Sequence, residues 1–164
     1  MGCKMKFTLQ NKNEIANTDK QVLHIKKVVV PDEGLFVNNV IGTSDESPPQ
    51  GYNSAIEYWR SRASGDMKEC PAIDPHKKED GSCVDTKDIV GAHVRIYGEE
   101  CPEDEAWVVP LCKHCNSADR DWSIYLPAGT CLIPVRLSKK YKTAKSDMDY
   151  WVVMYTKLFC NGCN

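Results

Sequence analysis

Residues 89–116 have the sequence IVGAHVRIYGEECPEDEAWVVPLCKHCN, and they decide which fold the chain is expected to adopt. Two apolar, β-branched runs, DIVGAHVRIYG at 88–98 and AWVVPLC at 106–112, flank the acidic segment EECPEDE. Runs of this kind predict strands. Cys112 and Cys115 then form a Cys-x-x-Cys pair, a spacing that places two thiolates on one metal ion through a tight turn. The stretch therefore predicts two strands that lead into half of a zinc site.

A four-coordinate zinc ion needs two further ligands, and the Pro-, Asp- and Lys-rich segment upstream offers Cys70 and Cys83. The 12 residues between these two cysteines exceed the usual two to four. Three other residues are rival ligands: His76, Cys101 and His114. The alternative is that Cys112 and Cys115 are ordinary buried thiols. We predict a structural zinc site on Cys70, Cys83, Cys112 and Cys115.

Composition restricts the compartment and the class of partner. The chain has 164 residues and nine cysteines, with 21 basic and 23 acidic side chains and a net charge of −2. Nine cysteines indicate disulfides in a secreted protein, but metal ligands and buried thiols in a reducing compartment. The first residues lack the charged-then-apolar pattern of a signal peptide, so we expect an intracellular, cytoplasmic protein. No run approaches the roughly 18 apolar residues of a membrane helix. The charge excludes a nucleic-acid binder that acts through overall basicity.

Further elements are predicted on both sides of this stretch. The segments VLHIKKVVV at 22–30 and LFVNNVIG at 35–42 predict strands. The segment SAIEYWRSRAS at 54–64 predicts a helix that is capped by Ser54, supported by Glu57 and ended by Gly65. The segment IYLPAGTCLIPVRL at 124–137 predicts a closing hairpin that turns around Pro127 to Gly129.

The segments IVGAHV, WVVPLCKHCN and CLIPV together resemble the zinc-stabilised HNH endonucleases, over about residues 70–135. The resemblance implies an α+β fold with a small ββα, treble-clef-like zinc core. We expect an N-terminal β-rich arm and loop at 1–53, the HNH-like core at 54–136, and a basic and aromatic extension at 137–164.

The same resemblance assigns catalytic roles by position. His93 matches the general base that activates water, and Asn116 matches the last ligand of a catalytic Mg²⁺ or Mn²⁺ ion. The chain departs from the family pattern at two points. Ala92 replaces the usual acidic ligand, and no asparagine lies between the two strands, where Asp104 or Glu105 is the available substitute. The alternatives are a core histidine that is hydrogen-bonded across the sheet and an asparagine that caps a turn.

Two functions follow from these observations. The first is a zinc-binding, HNH-like protein that is a degenerate nuclease or a nucleic-acid-associated module. The second is a non-catalytic module of a larger protein assembly that zinc stiffens. Two other segments leave alternatives open. CNGC at 160–163 is half of a second metal site or a redox-sensitive pair, and the basic segment RLSKKYKTAK at 136–145 is a solvated loop or a phosphate contact.

Overall fold

A computed structural model describes residues 27–73, 83, 88–117 and 123–144. These residues form a curled, six-stranded half-barrel with one α-helix packed against it. The elements in chain order are β1 (Val28–Val29), β2 (Leu35–Asn39), α1 (Ala55–Ala63), β3 (Ile89–Ile96), β4 (Glu105–Cys112), β5 (Ile124–Leu126) and β6 (Cys131–Arg136). The strand order is β1-β6-β4-β3-β2-β5, and every neighbouring pair is antiparallel.

The hairpin of β3 and β4 forms the centre of the sheet. His93 lies opposite Val108, and Ile89 lies opposite Cys112 at the end of the ladder. β4 continues through Pro110 to Cys112, whereas β6 pairs with β4 only as far as Val108. Beyond Val108, β4 pairs only with β3. Proline has no backbone N–H, but no strand pairs with the other edge of β4 at Pro110, so no hydrogen bond is lost on that edge.

Two apolar clusters lie on opposite faces of the sheet, because successive strand residues point to opposite faces. Ala92 and Val94 belong to one cluster, which also contains Cys83, Cys112 and Cys115. The other cluster lies under α1 and includes the following buried side chains: Tyr58, Trp59, Val108, Ile133 and Val135. His93 lies between Ala92 and Val94 in the strand, so its side chain points to the helix-covered face.

Helix α1 forms where the sequence predicts it. Ser54 has an extended backbone, and its side chain accepts a hydrogen bond of 3.2 Å from the amide of Glu57. The Glu57 carboxylate in turn accepts from the amide of Asn53 at 2.8 Å. The helix ends at Ser64, whose φ of 59° is left-handed. Trp59 anchors the helix to the sheet by donating from Nε1 to the carbonyl of Cys131 at 2.8 Å.

Gly91 allows the first turn of α1 to lie directly on β3. A Cβ atom at this position would come within 2.5 Å of the Ala55 carbonyl carbon and of the Ile56 nitrogen. Contacts this short do not occur between real atoms, so any side chain would push the helix away. The glycine that interrupts the predicted strand is therefore a packing site.

The expected ββα zinc core is wrong. The described residues form a mostly antiparallel sheet, and their α-helix precedes β3 instead of following the Cys112–Cys115 turn. After that turn the chain forms β5, which pairs with β2. The resemblance rests on a β-hairpin followed by a Cys-x-x-Cys turn, and both folds contain that local unit. In this chain β2 and β6 pair with the two sides of the hairpin, and the hairpin therefore forms the centre of a six-stranded sheet instead of a ββα unit.

The predicted closing hairpin is also wrong. β5 pairs with β2, whereas β6 pairs with β4 and β1. The turn between β5 and β6 forms as expected, but it bonds to a third strand: Gly129 donates to the carbonyl of Val30, and Val30 donates to that of Thr130. Backbone bonds thus join this turn to Val30, the residue after β1, while β5 and β6 lie toward opposite ends of the strand order.

Several expectations lie outside the described residues. These are the arm before Lys27, His76, and the aromatic tail with CNGC at 160–163. No helix of the described ranges is long and apolar enough to cross a membrane.

Candidate metal centre

Four cysteine side chains meet at the end of β4. The sulfur atoms of Cys70, Cys83, Cys112 and Cys115 all lie within 4.8 Å of one another. The Sγ atom of Cys83 is 3.4 Å from that of Cys112 and 3.6 Å from that of Cys115. Tetrahedral zinc with bonds of about 2.3 Å separates its sulfur ligands by about 3.8 Å. The four cysteines that the sequence suggested as ligands are therefore close enough together to hold one metal ion.

The two halves of this cysteine cluster are positioned by different elements. Cys112 is the last residue of β4, and the turn after it is closed by a 3.0 Å bond from the Asn116 amide to the Cys112 carbonyl. The amide of Cys115 points at the Cys112 sulfur, 3.4 Å away. Cys70 follows α1, and its segment is held by a 3.0 Å bond from the Ile73 amide to the carbonyl of Tyr125 in β5.

Burial and hydrogen bonding set the chemistry of the thiols. Cys83, Cys112 and Cys115 are buried in the apolar cluster, and Cys70 is half-buried at its edge. The hydrogen bond with Cys115 lowers the pKa of the Cys70 thiol to about 6. Burial raises the pKa of the Cys112 thiol to about 11. A bound metal ion deprotonates its thiol ligands, so it would offset the burial cost that keeps Cys112 protonated.

The rival ligands that the structure describes lie elsewhere. Cys101 donates to the Glu105 carbonyl at 3.4 Å, at the opposite end of β4. His114 is exposed on the turn. In the described ranges, no other set of three or more His, Cys, Asp or Glu side chains gathers closely enough to hold a metal ion.

His93 and Asn116, the predicted catalytic pair, line one cavity of about 550 Å³. Its walls come from the end of β2, the first turn of α1, β3, and the turn that carries Cys115. The His93 side chain is buried, and no group in the described part of the chain hydrogen-bonds its ring. Burial lowers the pKa of His93, and the charge of Glu46 opposes that shift in part. The ring is therefore neutral at pH 7.

A carboxylate that the sequence did not single out lines the same cavity as this pair. Asp104 and Glu105 are not among the cavity residues; both lie beside Arg136, at 3.9 Å and 3.6 Å. Glu46 lines the cavity instead. Burial alone would raise the pKa of Glu46, but hydrogen bonds from Tyr141 and Ser138 outweigh it and lower the pKa. Glu46 is thus an ionised carboxylate whose two oxygens already accept bonds.

Asn39 is the second residue that the sequence analysis missed. It ends β2 and is 5% exposed. Its Nδ2 donates to the carbonyl oxygen of Cys115 at 3.0 Å, and its buried Oδ1 has no hydrogen-bond partner among the residues that the structure describes. The available signal was the pair of asparagines in the otherwise apolar strand LFVNNV, since buried amides need partners. Asn38 finds them in Ala144 and Ser123.

A scan against protein-family models found no match for the chain, and searches of the curated proteins and of the solved structures found none either.

Proposed function

We propose that Cys70, Cys83, Cys112 and Cys115 hold a structural Zn²⁺ ion, and that the chain is a non-catalytic structural or interaction module stabilised by this ion. The observation that carries the proposal is the gathering of four sulfur atoms within 4.8 Å of one another. Four thiolates complete the tetrahedral shell that structural zinc prefers, whereas catalytic zinc keeps a position for water. The ion would therefore stabilise the fold and not bind substrate.

The role of the ion follows from the segments that it would join. Cys70 and Cys83 belong to the part of the chain between α1 and β3, and Cys112 ends β4. The site thus connects the chain between α1 and β3 to the end of the central hairpin. Asn39 at the end of β2 also donates a hydrogen bond to the Cys115 carbonyl. The turn would therefore be held in two ways, by this bond and by the metal ion.

Metal analysis of the purified full chain tests this proposal. We expect about one zinc ion per chain, and loss of that zinc in Cys112→Ser and Cys115→Ser. Cys101→Ser and Cys131→Ser are matched controls, since neither thiol belongs to the cluster. Both controls should keep the zinc. A wild-type chain without metal, or cluster variants that retain it, would contradict the proposal.

Metal-dependent hydrolysis of nucleic acid is a second candidate, and one observation favours it. His93 and Asn116, which the resemblance to HNH endonucleases pairs, line the same cavity, and the neutral imidazole is available as a base. Against it stands Glu46, whose oxygens are already bonded to Ser138 and Tyr141. A plasmid-nicking assay of the zinc-loaded protein with Mg²⁺ or Mn²⁺ separates the candidates. Nicking that disappears in His93→Ala would establish the hydrolase, whereas its absence in the wild type supports the non-catalytic module.

A further inference from the structure

The four clustered thiols differ in their access to solvent. Cys112 and Cys115 are 0% exposed and Cys83 is 6% exposed, so their sulfur atoms are shielded from dissolved reagents. Cys70 is only half-buried and packs at the edge of the apolar cluster. An oxidant in solution therefore meets the cysteine cluster at Cys70.

Cys70 also lies on a segment without regular secondary structure. Residues 66–72 form neither helix nor strand, whereas Cys112 ends β4 and pairs with Ile89 of β3. Segments held by few ladder hydrogen bonds shift at a lower free-energy cost than strands do. Cys70 can therefore move toward a neighbouring sulfur atom without breaking the sheet.

The sulfur atom that Cys70 can reach is that of Cys115. The two side chains are hydrogen-bonded, and all four sulfur atoms of the cluster lie within 4.8 Å of one another. A disulfide requires its two sulfur atoms to be about 2.05 Å apart, so a small movement of the Cys70 segment is sufficient. This bond would leave only Cys83 and Cys112 as thiolate ligands, which is too few for the tetrahedral shell of structural zinc.

We propose that the zinc site is a peroxide-sensitive switch, in which hydrogen peroxide oxidises Cys70, a disulfide joins Cys70 to Cys115, and the zinc ion leaves. The inference rests on the proposed function, because the ion keeps its sulfur ligands as thiolates, the form that attacks peroxide. Without the ion, Cys83 is no longer joined to Cys112. The part of the chain between α1 and β3 thus loses one of its two attachments to the end of the central hairpin.

The reaction balances with hydrogen peroxide as the oxidant. The Cys70 thiolate attacks one peroxide oxygen, so that an S–O bond forms, the O–O bond breaks and hydroxide leaves. The Cys115 thiolate then attacks the Cys70 sulfur, so that the S–S bond forms, the S–O bond breaks and a second hydroxide leaves. Protons from solvent convert both hydroxides to water. The two thiolates together lose two electrons, and the peroxide gains them.

Peroxide treatment of the zinc-loaded full chain tests the inference. A chromogenic chelator measures zinc release, and the remaining thiols are alkylated before peptide mapping by mass spectrometry. The variant Cys160→Ser/Cys163→Ser is the background, because the CNGC pair is a second candidate for oxidation. We expect about one zinc ion released per peroxide consumed, and a peptide that joins Cys70 to Cys115. Dithiothreitol with added zinc should restore the zinc-bound chain, because thiol exchange reduces the disulfide.

Two variants in this background separate Cys70 from the other thiols. Cys70→His removes the accessible sulfur but keeps a zinc ligand, since three cysteines and one histidine also hold structural zinc. It should release zinc in peroxide about tenfold more slowly or less, because the attacking thiolate is gone. Cys101→Ser is the matched control: Cys101 is half-buried like Cys70 but lies outside the cluster, so its loss should leave the release rate unchanged.

Three results would overturn the inference: zinc that stays bound in excess peroxide, a disulfide map without Cys70, or release from Cys70→His at the rate of the background chain. If Cys70→His does not bind zinc, the disulfide map of the background chain decides alone. Zinc retention in peroxide refutes the switch and leaves the metal proposal standing, whereas a chain that purifies without zinc refutes both. The two failures are therefore distinguishable.

Discussion

The side-chain amide of Asn39 donates a 3.0 Å hydrogen bond to the carbonyl oxygen of Cys115, 76 residues later in the chain. Both residues are buried. The bond joins the end of β2 to the turn that carries two of the four clustered cysteines. It also orients the amide, so that Oδ1 is the atom with no hydrogen-bond partner in the described ranges.

Asn39→Ala should lower the free energy of unfolding by about 1–3 kcal/mol, because it removes the buried hydrogen bond from Asn39 Nδ2 to the Cys115 carbonyl. Urea denaturation of the zinc-loaded protein measures the change. Asn53→Ala is the control, since this residue is exposed and its backbone amide makes the bond to Glu57. Equal stability of the two variants would show that the Asn39 bond contributes nothing.

Gly91→Ala should destabilise the protein by about 1–3 kcal/mol, the usual cost of overpacking. The added methyl group would meet the backbone of Ala55 and Ile56, which cannot rotate away. Gly65→Ala is a matched control, because a Cβ atom there has no neighbour within 4 Å. The account is contradicted if the two alanine variants unfold at the same denaturant concentration.

Trp59→Phe should cost about 1–3 kcal/mol through loss of the indole donor to the Cys131 carbonyl. Phenylalanine keeps one ring in the buried site, so the effect combines the lost hydrogen bond that anchors α1 with part of the lost packing. Trp107→Phe should cost less, since Trp107 is only partly buried at the edge of the other cluster. Thermal unfolding followed by circular dichroism compares them. A larger loss in Trp107→Phe would refute the assignment of the anchor.

His93 should titrate below pH 6.5, because burial disfavours its charged form. In Glu46→Gln the pKa should fall further, since the Glu46 charge raises it in the wild type. With the folded pKa below the unfolded one, the unfolded chain takes up the proton first, and stability declines as the pH falls below about 6.5. NMR titration of the ring, assigned with His93→Gln, measures both midpoints. A midpoint above 6.5, or a rise in Glu46→Gln, would contradict the burial argument.

The local elements could be predicted from the sequence, but their arrangement could not. The Ser54 cap, the β-branched runs of β3 and β4, and the turn after Pro127 are set by neighbouring residues, and each forms. The pairing of β5 with β2 depends on contacts between distant segments, which no local pattern encodes. The expected ββα core was wrong for the same reason, since the expectation rested on a hairpin and a turn and not on the sheet around them.

The residues of the candidate site could likewise be predicted only in part. The Cys112–Cys115 pair carries a spacing signal, and Cys70 and Cys83 were the available upstream thiols. Glu46 carries no signal, and the asparagine pair in LFVNNV does not show that the partner of Asn39 is Cys115, because both placements depend on which distant segments meet. Arg95 shows the limit most clearly. This buried cation bonds to the carbonyl oxygens of Glu103, Glu105 and Tyr141, and every residue of a sequence offers such an acceptor.

X-ray absorption at the zinc edge of the purified protein tests the central claim most directly, because it reports the ligand atoms themselves. The account predicts four sulfur ligands at about 2.3 Å and no nitrogen or oxygen in the first shell. Cys101→Ser should leave this spectrum unchanged, and Cys70→Ser should replace or remove one sulfur. A shell with two sulfur atoms and histidine nitrogen, or with bound water, would contradict a structural site formed by Cys70, Cys83, Cys112 and Cys115.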